Sequence, residues 1–375
     1  MKRYITLLLI TLVAAAATAQ NLLWNVEQID RAATDPAYAK LKATIISKAD
    51  GFVSRKPLAV TDKAIARSGD KHNYESMAIY YWPDTTKVDG LPYIVKDGAH
   101  NPEYKEYNFS ALLELVVRLR YLSVAYRITR DQKYHDAFCR QLDTWFLDDD
   151  THMYPHLLYS QIRPGHDNGR GCAAGVLDAY QFVEVIESIR LVHQTKSIGR
   201  SRHKNLRTWF RQLAEWIDTS DQGHGAAAFT NNIGVAHDIT LYALYSFAKK
   251  KRQANRAIAT FETDRIAAQI DDEGHQPREL ARPRALTYSV DNLQYFVDYC
   301  ALTQTTSPRV NSAIDYLQQF IGHRDAFPYQ EVGDWDGEIT KLQYLIQRAR
   351  NIQRTTRAPE TTTPLIPTDV LYLVK

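Results

Sequence analysis

The sequence contains few of the residues that build disulfide frameworks or metal centres. Its 375 residues include three cysteines, Cys139, Cys172 and Cys300. They lie far apart and lack the spacing of zinc ligands, so we predict buried thiols with at most one disulfide. The histidines show no regular helical pairing either, and no metal or other cofactor is predicted.

Net charge is also small. Lys and Arg number 46, Asp and Glu number 43, and the formal charge is +3. Bulk electrostatics therefore gives no support for a nucleic acid or membrane-surface partner. A site for a polyanion would have to come from local clustering of basic residues.

Long apolar runs are confined to the N-terminus. A basic start, an apolar run over 5–13 and the segment Ala17-Thr18-Ala19 are typical of a cleavable secretory signal. We expect a signal peptide over 1–19, cleavage near Ala19 and a periplasmic or secreted mature protein. No later stretch is long and apolar enough to predict a membrane anchor. The 45% hydrophobic content is enough for a core, and we predict one domain over 20–375.

Apolar residues recur at helical spacing along most of the chain. The pattern covers 112–126, 182–192 and 206–217, and Ser307-Pro308 is typical of a helix start. Alternating strand patterns are scarce, so we predict an all-α fold of paired helices. Four stretches are predicted to be non-helical and, from their Tyr, Trp, His, Asn and Arg content, to line a ligand site. They are 71–105, 148–172, 219–230 and 271–284.

Several segments combine residues that suit carbohydrate chemistry. Arg278, Arg282 and Arg284 precede Tyr288, and guanidinium groups can bind a sugar carboxylate and lower the pKa of a phenol. A solvated helix start followed by a core tyrosine would give the same pattern. Asn231-Asn232 opens another helical segment, where an amide could cap the helix or donate to a uronate carboxyl group.

Aromatic and glycine-rich segments supply further candidate contacts. The stretch 74–84 is dense in aromatic residues, whose faces suit the C–H faces of sugar rings. The stretch 151–171 mixes imidazoles with glycines, which predict positive φ angles or close backbone approach. The predicted substrate contacts are His237, Arg284, Tyr81, Trp82, Arg170, His166 and Gln276.

Taken in order, these segments resemble the alginate lyase superfamily, in particular polysaccharide lyase families 5 and 38. The similarity extends over roughly 70–300 and includes Tyr81 to Asp84, the Gly-Arg-Gly segment, the Asn-Asn pair and Gly274 to Arg282. It implies an incomplete toroid of α-helical hairpins with a groove across one end, an acidic polysaccharide partner and catalysis without a metal. It also implies that Tyr288 is the catalytic tyrosine, that Arg282 supports it, and that Asn232 neutralises the uronate carboxylate.

The sequence departs from that family directly after Asn232. The family commonly has histidine there, whereas this chain has Ile233, which cannot transfer a proton. In 4-linked mannuronate or glucuronate, the C5 hydrogen and the leaving oxygen O4 lie on the same side of the sugar. One tyrosine can therefore remove the C5 proton and deliver it to O4. The departure therefore disfavours guluronate, in which they lie on opposite sides.

The resulting hypothesis is a lyase that cleaves a mannuronate- or glucuronate-containing polymer by syn β-elimination. Two alternatives remain open from sequence. One is an α/α-toroid glycoside hydrolase using carboxylates such as Asp271, Asp272 and Glu279. The other is a noncatalytic polyuronate-binding protein.

Overall fold

The computed structural model describes residues 23–356. The predicted signal peptide over 1–19 and the C-terminal residues 357–375 lie outside the described part. Among the described helices, none has the length and apolar character needed to cross a bilayer.

Helices form most of the described chain, as the sequence predicted. They are α1 (Val26–Thr34), α2 (Ala39–Val53), α3 (Asn108–Thr129), α4 (Gln132–Phe146), α5 (Gln181–His193), α6 (Arg200–Thr219), α7 (Asp221–Ala228), α8 (Asn232–Phe247), α9 (Lys251–Ala257), α10 (Ala267–Gln269), α11 (Pro277–Leu280), α12 (Ala285–Thr303), α13 (Pro308–Gln318) and α14 (Trp335–Thr356).

The helices pack as hairpins in an all-α toroid, which confirms the predicted fold class. Helix α3 packs against α2, α4 and α5, while α8 packs against α6, α9 and α12. Helix α12 in turn packs against α13 and α14. Successive helices therefore cover one another's apolar faces along the chain.

The junction of α3 and α4 shows how the sequence makes such a hairpin. Arg130 adopts a left-handed conformation, with φ 61°, which ends α3. Asp131 follows at once, and its side chain accepts a hydrogen bond from the backbone N–H of Lys133 at the start of α4. The C-terminal stop and the N-terminal cap are thus adjacent, and the chain reverses within two residues.

Helix α8 joins two hydrophobic clusters. In the larger cluster, Leu244 of α8 packs with residues that include Phe182. In the smaller cluster, Ile239 of α8 packs with residues that include Phe296. Burial of each large side chain stabilises the fold by roughly 1.5–3 kcal/mol. Because α8 is held from both sides, its first turn has a fixed position.

The cysteines agree with the predicted buried thiols. All three are free, Cys139 and Cys300 are buried, and Cys172 is half-buried. Burial raises the pKa of each thiol.

Short strands bring together two of the predicted loops. Strand β1 (Glu75–Met77) pairs in parallel with β4 (Tyr159–Ile162), and β2 (Tyr81–Trp82) pairs with the antiparallel β3 (Ile94–Val95). The close approach predicted from glycine occurs at Gly171, where a Cβ atom would lie 2.0 Å from a backbone oxygen of β4. The loops 71–105 and 148–172 therefore form one layer over the helices.

The predicted loop at 219–230 is wrong, because most of it is α7. Ser220 caps this helix by accepting a hydrogen bond from the N–H of Gly223. The two glycines at 223 and 225 obscure the helical pattern in the sequence. A Cβ atom at Gly223 would lie 1.7 Å from the carbonyl oxygen of Ile217, so this glycine is required by packing rather than by a turn.

This packing predicts opposite effects for two helical glycines. Gly223→Ala should destabilise the protein by about 1–3 kcal/mol, since the methyl group must displace backbone. Gly51→Ala in α2, where a Cβ atom has nothing within 4 Å, should stabilise it by about 0.4–1 kcal/mol. Urea denaturation of the two variants measures both changes, and equal effects would contradict the packing argument.

Candidate active site

The first turn of α8 holds two adjacent amides with different roles. Asn231 is the N-cap, and its side chain accepts the N–H of Ile233 at 3.2 Å. Asn232 is 6% exposed, and its side-chain Oδ1 has no hydrogen-bond partner among the described residues. The structure therefore assigns capping to Asn231 and leaves the amide of Asn232 for another use.

A buried carboxylate connects Asn232 with the arginine-rich segment. Glu279 is 1% exposed, and its Oε1 accepts the backbone N–H of Asn232 at 3.1 Å. Its Oε2 lies 3.7 Å from Nη1 of Arg282. Burial raises the pKa of Glu279, although both of these contacts oppose the increase. Glu279 thus fixes the starts of two separate segments relative to each other.

Tyr288 and Arg282 meet as the family resemblance implied. The guanidinium carbon of Arg282 lies 3.3 Å from the centre of the Tyr288 ring. The Tyr288 hydroxyl lies 2.6 Å from the hydroxyl of Tyr80 and 3.2 Å from Oδ1 of Asp97. Asp97 also pairs with Arg282 at 3.0 Å. The phenol of Tyr288, the guanidinium of Arg282 and the carboxylate of Asp97 therefore contact one another beside the start of α12.

The expected decrease in the pKa of Tyr288 is not found. Burial and the hydrogen bond to Tyr80 raise this pKa, and the opposing effect of Arg282 is smaller. Of the three neighbouring arginines, only Arg282 stacks on the phenol. Arg278 instead donates to the carbonyl oxygen of Thr230. The positions of the arginines in the sequence therefore predicted more positive charge at the Tyr288 hydroxyl group than the structure shows.

Arg284 contacts a different residue of the layer formed by 71–105 and 148–172. Its Nη1 donates to Nε2 of His100 at 2.9 Å, so that ring nitrogen is the acceptor. Burial and Arg284 both lower the pKa of His100. The His100 ring lies 5.3 Å from the ring of Tyr80. Arg284 also forms a backbone bridge with Glu331, which brings the segment before α14 to the site.

The β2–β3 hairpin carries the predicted aromatic contacts. Tyr81 and Trp82 are half-buried, and the Tyr81 ring lies 5.9 Å from the His166 ring. Nε2 of His166 is bonded to the carbonyl oxygen of Tyr93 at 2.8 Å. Arg170 is exposed in the same layer. These four predicted contact residues therefore lie in the layer that also supplies Tyr80 and Asp97.

Gln276 does not lie at the surface where a sugar would bind. It is 2% exposed, donates to the carbonyl oxygen of Ser289 at 3.0 Å and accepts from Asn292 at 2.9 Å. The amide joins the turn before α11 to α12. The prediction that Gln276 contacts the substrate is therefore wrong, and its side chain has an internal, supporting role.

His237 is also buried. It is 6% exposed, and its Nδ1 is bonded to Asp238, which pairs with Arg265. This network supports α8 from within, so the predicted substrate contact of His237 is replaced by a structural role. Ile233, at the position where the family commonly has histidine, packs against the larger hydrophobic cluster.

One group of side chains in the described chain has donor atoms close enough for a metal ion. Atoms of Asp271, Glu273 and His275 lie within 4.8 Å of one another. Oδ2 of Asp271 already binds Nδ1 of His275 at 2.9 Å, while Oδ1 accepts two backbone N–H groups of the turn. These contacts account for the arrangement without a ligand.

The sequence analysis missed Tyr80, Asp97 and His100 as members of the site, and it considered Glu279 only as a carboxylate of the hydrolase alternative. Tyr80 lies in the aromatic stretch, where the three other aromatic residues gave no reason to select it. Asp97 and Arg282 are 185 positions apart, so their contact has no local signal. Only the tertiary layer of β2 and β3 places Asp97 beside Tyr288.

Comparison with known proteins identifies the family to which this chain is similar. The Alginate lyase family model matches residues 59–313, which include the whole cluster. A solved structure of an alginate lyase from Bacteroides ovatus is similar with a TM-score of 0.85 and 33% sequence identity. The alignment covers 95% of this chain and 98% of that chain. No curated protein sequence matches this chain.

The match covers more than half of the chain, and the structural similarity extends over nearly all of it. Tyr288, Arg282 and Asn232 lie together within the matched region, held by Glu279. On this evidence the chain belongs to the alginate lyase family and is a polysaccharide lyase.

Proposed function

We propose that the enzyme cleaves a 4-linked polymer of mannuronate or glucuronate by syn β-elimination, with Tyr288 as both base and acid. The observation that carries the proposal is the cluster of Tyr288, Arg282 and Asn232, which Glu279 holds together. Such a set supplies a proton-transfer group, a cation and an amide donor within one site. These are the groups that elimination next to a carboxylate requires.

Stabilisation of charge on the substrate carboxylate is the first requirement. Removal of the C5 proton places additional negative charge on the adjacent carboxyl oxygens, forming an aci-carboxylate. The Arg282 guanidinium and the Asn232 amide are the groups proposed to bind those oxygens. Because Glu279 fixes both elements, they need little reorganisation as charge develops.

Proton transfer is the second requirement. With Tyr288 as the phenolate, the C5 proton moves to the Tyr288 oxygen and makes it a phenol, the C5 electron pair forms the C4=C5 double bond, and the C4–O4 bond breaks. The departing O4 then takes the proton from Tyr288. The products are an unsaturated uronate end and a new reducing end, and Tyr288 regains its starting state.

The choice of polymer follows from the side chain beside Asn232. Ile233 is packed against the core and cannot serve as a second base on the opposite face. The single phenol of Tyr288 suits sugars whose C5 hydrogen and O4 lie on one side. Poly-guluronate is therefore expected to be a poor substrate.

The surrounding layer is proposed to hold neighbouring sugar residues. Tyr81 and Trp82 offer aromatic faces, while Arg284 and Arg170 offer cations and His166 a ring edge. The predicted signal peptide supports action in the periplasm or outside the cell.

The hydrolase alternative loses support because Glu279 is enclosed by protein contacts. A glycosidase needs two carboxyl groups that face the scissile bond. Glu279 instead faces Asn232 and Arg282, while Asp271 and Asp272 pair with His275 and Arg309.

The central test removes the proposed acid–base group. Tyr288→Phe should lower the elimination rate by at least about 10²–10⁴-fold, because proton transfer at both C5 and O4 is lost. The measurement is the absorbance of the unsaturated product with a mannuronate or glucuronate polymer.

Tyr299→Phe is the matched control for that variant. Tyr299 lies on the same helix, α12, with its ring stacked 4.2 Å from the centre of Phe261, and phenylalanine preserves this packing. Its rate should stay close to that of the unsubstituted enzyme. Turnover retained by Tyr288→Phe with an unchanged circular dichroism spectrum would refute the assignment.

The two adjacent asparagines provide a second test. Asn232→Ala should lower kcat by about 10²–10³-fold, as the loss of an oxyanion donor does elsewhere. Asn231→Ala should mainly lower the free energy of unfolding, by about 0.5–2 kcal/mol, because it removes the α8 cap. Steady-state kinetics and urea denaturation separate the two effects, and a larger kcat loss in Asn231→Ala would reverse our assignment.

The pH dependence follows from the raised pKa of Tyr288. The neutral phenol predominates near neutrality, and the phenolate fraction increases about tenfold per pH unit below that pKa. We therefore expect kcat/KM to increase from about pH 7 to about pH 10. A maximum near about pH 6 followed by a decrease would favour a histidine instead.

A further inference from the structure

Asp97 presents a carboxylate to the groups proposed to bind the substrate carboxylate. Its Oδ1 lies 3.0 Å from Nη2 of Arg282 and 3.2 Å from the hydroxyl of Tyr288. Its Oδ2 lies 3.4 Å from Nε of Arg282. Both carboxylate oxygens thus face one edge of the guanidinium, which is the geometry with which arginine binds a carboxylate.

A uronate carboxylate is the same chemical group as the Asp97 side chain. One edge of one guanidinium cannot bind both in this geometry. Resting on the function proposed above, we propose that Asp97 is an internal competitor whose carboxylate must leave Arg282 before a uronate binds productively.

The site does not need Asp97 to keep Arg282 in place. The guanidinium stacks on Tyr288 at 3.3 Å and also faces the buried Glu279, with 3.7 Å between Nη1 and Oε2. These two contacts remain when the Asp97 side chain rotates away. The arginine would then expose a fixed edge to the incoming substrate.

Asp97 is also placed where its side chain can turn to solvent. It is exposed, in the short turn after β3, with 36% of its side chain accessible. The backbone around it is tied independently, because Lys96 donates to the carbonyl oxygen of Tyr80 and Trp82 donates to that of Ala99. Rotation of the side chain therefore requires no movement of the hairpin.

The partial exposure of the pair limits the strength of the competition. Exposed ion pairs contribute little, and displacement should weaken carboxylate binding by about two- to fivefold. The same displacement precedes binding of a polymer or of a single uronate. Asp97 should therefore weaken the binding of both ligands by the same factor. This factor should decrease as salt screens the ion pair of Asp97 and Arg282.

The experiment compares Asp97→Asn and Asp97→Ala with the unsubstituted enzyme at low and high salt. We expect KM for the polymer and the inhibition constant of D-glucuronate to decrease together, by about two- to fivefold at low salt, with no matching decrease in kcat. Asp89→Asn is the control. It removes an equal charge from the same hairpin, and asparagine can still accept the N–H of Leu91 that Asp89 Oδ1 accepts at 3.1 Å.

Two outcomes would overturn the proposal. A lower kcat with unchanged KM and inhibition constant would make Asp97 a residue that positions Tyr288. Equal changes in the Asp89 control would reduce the effect to bulk charge. Direct calorimetric titration of the unsubstituted enzyme and the Asp97 variants with D-glucuronate distinguishes failure of this proposal from failure of the proposed function, since it measures uronate binding even if no elimination occurs.

Discussion

The site depends on one buried carboxylate, that of Glu279. It accepts the N–H of Asn232 at the start of α8 and faces Arg282 from the segment before α12. An ionised carboxylate that is 1% exposed is costly unless its neighbours compensate it. Loss of either contact would make burial of the carboxylate more costly, so the two segments are held to a single relative position. Charge stabilisation in elimination needs this kind of fixed geometry, because donors that must reorganise lose much of their effect.

A second layer completes the site from the opposite side. The hairpin of β2 and β3 and the turn after it bring Tyr80, Asp97 and His100 over the helix starts. This layer surrounds Tyr288 with polar groups and also buries it, which explains why the pKa of its phenol increases although Arg282 stacks on the ring. Electrostatic attraction at the ring face is outweighed by the loss of water at the hydroxyl group.

The sequence was sufficient to predict most of the helices. Periodicity predicted α3, α5 and α6. The ordered motifs singled out Tyr288, Arg282 and Asn232, which the structure brings together, and their roles in catalysis stay predictions. The sequence was not sufficient where the outcome depended on tertiary contacts. Helix α7 was missed because Gly223 and Gly225 obscure its helical pattern, although Gly223 is required by contact with the backbone of Ile217. Gln276 was misassigned because a buried amide and a sugar-binding amide look alike in sequence. Asp97 had no local signal, since its partners lie almost two hundred residues away.

The most direct measurement follows unsaturated product from three polymers under identical conditions: poly-mannuronate, glucuronan and poly-guluronate. The enzyme should generate the absorbance of a conjugated uronate alkene from poly-mannuronate, glucuronan or both, and much less from poly-guluronate. Tyr288 as the sole acid and base, beside Ile233, requires this order. An equal rate of product formation on poly-guluronate would contradict the single-phenol mechanism. New reducing ends without the alkene absorbance would show that the enzyme cleaves by hydrolysis and not by elimination.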